Sequence, residues 1–102
     1  MTKQSQPPDM FVNYVHNDRV RRLPVDFVNH IEEAVLVLAQ SAIRGQARTL
    51  KQHFGTEIWK AISDDQPQLA GMCMAYLVAN KRVPFIAMGI DLNSKAQLYA
   101  LI

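Results

Sequence analysis

Hydrophobic and polar positions change their period several times along this chain, and each change marks an element. Phe27, Ile31, Val35, Leu38 and Ala42 recur at three- and four-residue spacing, which predicts an amphipathic helix over residues 24 to about 43. Pro24 suits a first turn, and Asp26, Glu32 and Glu33 lie toward the N-terminal half, where negative charge favours the helix dipole. Gly45 ends this helix, with Arg44 well placed near its carboxyl end. Inside it, Ala34-Val35-Leu36-Val37-Leu38-Ala39 is apolar on every side. Such a run belongs either to a central helix or to a dimer seam, which would use Leu36, Val37 and Ala39.

Ala47-Arg48-Thr49-Leu50 connects to a second helical stretch that takes in Phe54, Ile58, Ala61 and Ile62, with Trp59 beside them. Gly55 weakens the first turn of that stretch, and a start nearer Thr56, acting as N-cap, is the alternative. Ser63-Asp64-Asp65 breaks the pattern. Asp65 and Gln68 have the spacing of a capping box, and Pro67 fits the first turn of a third helix. Its inner face is Leu69, Cys73, Tyr76 and Leu77, and it must end before Pro84, which pushes Val83 extended. From Phe85 the period becomes two. Ile86, Met88 and Ile90 alternate with Phe85, Ala87 and Gly89; Leu98, Ala100 and Ile102 alternate with Gln97, Tyr99 and Leu101. Asp91-Leu92-Asn93-Ser94-Lys95 is the linking turn.

Two helices separated by about four turn residues and followed by a hairpin predict a mainly α fold with a C-terminal β-hairpin, a winged helix-turn-helix. The connector at Arg48 is where such a fold places the short strand that pairs with its hairpin. Residues 24–102 form this domain, and residues 1–23 a flexible or extended N-terminal segment. Residues 1–10 are polar and Pro-rich, the composition of a disordered end. Phe11-Val12-Asn13-Tyr14-Val15 reads as a short strand or a docked extended segment. Arg19, Arg21 and Arg22 read as a solvated linker or a phosphate-contacting arm.

Phe54-Gly55, Ile58-Trp59, Leu69 with Gly71, Leu77-Val78, Val83-Pro84-Phe85, Gly89, Asn93-Ser94 and Leu98-Tyr99 follow one another in an order that resembles small winged-helix-like proteins of bacterial mobile elements. The resemblance covers residues 48–101, about half the chain, and rests on the order of short motifs. It implies a winged-helix fold and DNA binding.

Length and composition bound the function. A chain of 102 residues is one small domain, and a net charge of +2 permits DNA binding without arguing for it. The single cysteine, Cys73, excludes an intrachain disulfide, and His16, His30 and His53 lack metal-ligand spacing. No stretch approaches the roughly twenty apolar residues that cross a bilayer, and the first residues lack the apolar core of a signal peptide. A cytoplasmic location is the expectation.

No catalytic constellation is present, so neither an enzyme nor a cofactor is expected. Asp64-Asp65 reads as helix capping in preference to a magnesium site. Glu32-Glu33 diverge on a helix, and Cys73 reads as a small buried apolar residue.

In the DNA-binding reading, Gln66, Gln68 and Met72 of the third helix face base edges, where Gln bonds adenine and an apolar side chain meets the thymine methyl. Lys60, Lys81 and Arg82 surround that helix as phosphate contacts, Arg48 and Lys51 flank the preceding one, and Asn93 and Lys95 sit at the wing tip with Ser94. Against this stands Ala70-Gly71-Met72-Cys73-Met74-Ala75, a small and apolar run that suits a core or a helix-packing surface. Two functions fit. One is a homodimeric regulator binding double-stranded DNA, and the other is a non-catalytic module that docks a partner protein through the third helix or the 34–39 run.

Overall fold

The computed structural model describes residues 10–16 and 18–102. The expected disorder of residues 1–9 lies outside them. The architecture is α+β: four helices and two small antiparallel sheets. β1 (Phe11–His16) and β2 (Arg19–Pro24) form an N-terminal hairpin, with Asp18 left-handed (φ 62°) at its turn. Asp tolerates that conformation better than most residues. Val12 pairs with Leu23 and Tyr14 with Arg21, so these four share one face. Leu23 is fully buried in the core and Val12 packs against it. The stretch 11–24, expected to be flexible or extended, is thus a hairpin docked on the helices.

The backbone N–H of Val25 donates to the carbonyl of Met10 (3.2 Å), tying the hairpin to the start of α1 (Val25–Ala39). Val28, Ile31 and Val35 are buried on α1; Phe27, Leu38 and Ala42 are half-buried beside them. The helix ends four residues before the expected 43. Ser41 N–H and Ala42 N–H both return to the carbonyl of Leu38 (3.1 and 3.0 Å), closing the last turn. Gly45, left-handed at φ 78°, turns the connector instead of ending the helix, and its N–H reaches the carbonyl of Leu101 (2.9 Å).

The second helical stretch divides in two. Thr49 and Gln52 form a reciprocal capping box (3.2 and 3.0 Å) that opens α2 (Leu50–Phe54). Gly55, at φ 88°, breaks the helix before α3 (Thr56–Ser63) and is itself the N-cap, so Thr56 is the first helical residue and not the expected cap. The capping box expected at Asp65 and Gln68 does not form. Asp64 and Asp65 are both left-handed (φ 50° and 57°) and make the turn, leaving Gln66 as the N-cap of α4 (Pro67–Ala79) with no side-chain bond. At the far end Lys81 is left-handed (φ 57°), and Arg82 N–H donates to Leu77 O (2.9 Å) while Lys81 N–H donates to Val78 O (3.1 Å). This is a Schellman closure, with Pro84 just beyond it.

α4 is the central helix. Ala70, Cys73, Met74 and Leu77 are fully buried, and Tyr76, expected on the inner face, is half-buried. Burial pushes the Cys73 thiol up to about 11. Burial, reinforced by Tyr14, pushes the Tyr99 phenol up to about 12. Both groups hold their protons longer folded than unfolded. Their stabilising effect is complete below the ordinary values of 9.0 and 10.0 and is lost as pH rises through about 11 and 12. Through these two groups the melting temperature is expected to fall as pH rises above about 9. A thiol reagent at pH 8 should label Cys73 only as the chain unfolds; rapid labelling of the native protein would contradict its burial.

β3 (Phe85–Ile90) and β4 (Gln97–Leu101) form the second hairpin, with a bulge between Ala87 and Ile90 where Gly89 is left-handed (φ 94°). Arg48 and Tyr99 exchange both backbone hydrogen bonds (3.0 and 2.8 Å), so the connector pairs with the edge of β4 away from β3. Phe85 is buried, whereas Ile86, Met88 and Ile90 are 44, 46 and 55% exposed. Among the described residues no helix is long and apolar enough to cross a membrane.

Candidate nucleic-acid interface

Both hairpins pack on or beside α4 and little on each other, which leaves a groove of about 810 Å³ between them. Gly71, Met72 and Ala75 form its floor; as a glycine, a flexible thioether and a methyl, they keep it low. Tyr14 and Arg21, the cross-strand pair of the first hairpin, line one part, and Ser94, Ala96, Gln97 and Tyr99 of the second line another. Thr49, Leu50 and Lys51 come from the start of α2, Trp59 from α3 and Gln68 from the first turns of α4.

Packing beneath the surface holds these side chains in place. The Tyr14 and Tyr76 rings meet edge to face at 6.4 Å, and Trp59 stacks on Phe54 at 6.1 Å. His53 shares a hydrogen bond with the carbonyl of Tyr99 (2.7 Å), fixing β4 against α2. In the turn after β3, the Ser94 N–H and hydroxyl both donate to the Asp91 carboxylate (2.9 and 2.7 Å), which holds that carboxyl below its ordinary value. Lys95 is left-handed (φ 64°) in the same turn.

Among the described residues no carboxylate lines the groove, while the cations Arg21 and Lys51 do. Among the described residues the one ion pair is Arg82 with Glu32, elsewhere on the molecule. The Asp91 carboxylate is bonded to Ser94, and Arg21 and Lys51 thus share the groove with the amide and hydroxyl groups of Gln68, Gln97 and Ser94. That combination suits an anionic polymer. Among the described residues no group of three or more His, Cys, Asp or Glu able to hold a metal ion occurs.

The residues expected at an interface divide into several places. Lys51, Gln68 and Met72 line the groove, although Met72 is half-buried on its floor and does not project outward. Arg48 adjoins it through its pairing with Tyr99, and Asn93 and Lys95 flank Ser94. Gln66 is exposed at the N-cap of α4, directly after Asp64 and Asp65. Lys60 is exposed on α3 and does not line the groove. Lys81 and Arg82 lie apart, along a second hollow of about 700 Å³ with Val78, Pro84 and Ile102. Arg82 is also committed: its guanidinium binds Glu32 in a fork (3.0 and 2.6 Å) and reaches Asn29 (3.3 Å), pinning the end of α4 to α1. Of the expected dimer seam, Leu36 and Val37 are 42 and 65% exposed, whereas Ala39 packs partly on the chain's own core.

Sequence reasoning placed Arg21 only in a solvated linker or a phosphate-contacting arm, and did not place Tyr14 or Trp59 at this site. A signal for the first two was present: Asn17-Asp18 between two short β-prone runs is a hairpin turn pair. Comparison with protein-family models, with curated proteins and with solved structures finds no match for this chain.

Proposed function

We propose that the protein is a small cytoplasmic regulator that binds double-stranded DNA, built as a winged helix and acting as a homodimer. The observation that carries this reading is the groove over α4, whose described lining residues include Arg21 and Lys51 and no carboxylate. The element order supports the winged-helix form: α1, a connector paired with β4 at Arg48–Tyr99, two short helices, α4, then the β3–β4 hairpin. In this reading α4 meets the major groove at its start, where Gln68 is exposed, while Arg48, Lys51 and Lys95 meet phosphates. Leu36 and Val37, solvent-exposed on α1, supply the seam between protomers.

The test is fluorescence anisotropy on a random-sequence duplex at about 50 and 200 mM salt. Three phosphate contacts per protomer, six in the dimer, predict a loss of roughly 2,000-fold in affinity across that range. Absence of binding at the lower salt would sink the reading.

A second reading is a non-catalytic protein-interaction module. The exposed apolar side chains of Leu36 and Val37 on α1, and of Ile86, Met88 and Ile90 on β3, favour it. Such association would be insensitive to salt, which separates the two readings.

A further inference from the structure

We propose that the N-terminal hairpin is a second phosphate-gripping arm, placing Arg21 on the DNA backbone beside the groove opposite the grip of the C-terminal hairpin. This rests on the DNA-binding reading above and adds to it an element and a residue.

Strand alternation orients the arm. Leu23, Arg21 and Arg19 share one face of β2, matched by Val12 and Tyr14 on β1. Leu23 anchors that face in the core, Arg21 and Tyr14 line the groove, and Arg19 lies beyond them toward the turn. Arg22 belongs to the other face, where its guanidinium stacks 4.3 Å above the Phe11 ring. The three arginines are therefore not equivalent. Of the three, Arg21 is the one that lines the groove, so Arg21 carries the proposal.

Geometry favours a rigid grip. The hairpin is held by the core contact of Leu23, the bond between Val25 and Met10 and the edge-to-face contact of Tyr14 with Tyr76. Little ordering entropy is then lost on binding. A DNA major groove is about 12 Å wide and bordered by a phosphate strand on each side. A helix flanked by Arg21 on one hairpin and Lys95 on the other can engage both strands, where one wing engages only one.

The experiment measures the slope of log K against log salt on a random-sequence duplex for the full chain, Arg21→Gln, Arg22→Gln and Arg21→Lys. The glutamine variants lose the same charge on adjacent residues that face opposite ways. The expected result is a slope shallower by about 1.8 for Arg21→Gln alone, about 0.9 for each protomer's Arg21, with affinity roughly 60-fold lower at 0.1 M salt. Arg22→Gln and Arg21→Lys should keep the parent slope. Equal slopes for Arg21→Gln and Arg22→Gln, in a parent that binds with steep salt dependence, would overturn the arm and leave the DNA reading standing. A parent that shows no salt-dependent binding would remove the DNA reading itself.

Discussion

Phe85→Ala is expected to lower stability by about 3–5 kcal/mol, the range for emptying a phenylalanine site in a close-packed core. Phe85 is 2% exposed and opens β3, opposite Leu101 of β4. Its ring meets the His53 imidazole edge to face at 5.6 Å, and His53 in turn is bonded to the Tyr99 carbonyl. One side chain thus joins the C-terminal hairpin to α2, and its loss leaves a cavity that both elements border. A domain of this size has about 5–15 kcal/mol in all, so a large part of the population should unfold on modest warming. Urea denaturation is the measurement, with the midpoint shifting and the slope unchanged. Ile86→Ala, one residue along on the exposed face, should stay within about 0.5 kcal/mol. Equal effects at the two positions would mean that the strand is inverted.

Leu23→Ala should cost about 2–5 kcal/mol, and it tests whether the N-terminal hairpin belongs to the domain. Leu23 is fully buried with Val28, Ile31 and Leu77 in the core cluster. If residues before α1 were a detached arm, the substitution would be nearly neutral. The control is Val20→Ala on the same strand, where the side chain is 64% exposed and little should change. A destabilised Leu23→Ala should also lose anion binding in parallel, because the hairpin that carries Arg21 depends on this anchor.

The helices were legible in the sequence wherever their own periodicity set the buried face. Ile31 and Val35 on α1, and Cys73 and Leu77 on α4, are buried as their spacing predicts. Pro67 and Pro84 bound α4 because a proline ring constrains its own backbone whatever surrounds it. Local chemistry was less reliable where two choices are near in energy. Asp65 was a reasonable cap, yet the left-handed turn at Asp64 and Asp65 leaves Gln66 in that place. Arg82 read as a free cation beside a DNA-facing helix; only folding brings Glu32, fifty residues away, within its reach.

For this chain, covalent constraints and hydrophobic period sufficed to order the elements after residue 24: a long first helix, a second helical stretch, an apolar third and a closing hairpin; the N-terminal hairpin and the break at Gly55 came from the structure. Those properties act between neighbours in sequence. Which apolar runs are covered was decided only in three dimensions. Met74 is buried although its apolar run gives no period, and Val37 is open although its run looked fit for a core. The groove is likewise a tertiary product. Arg21, Lys51 and Gln68 come from three separate elements, and no local pattern records that packing around α4 places them along one surface.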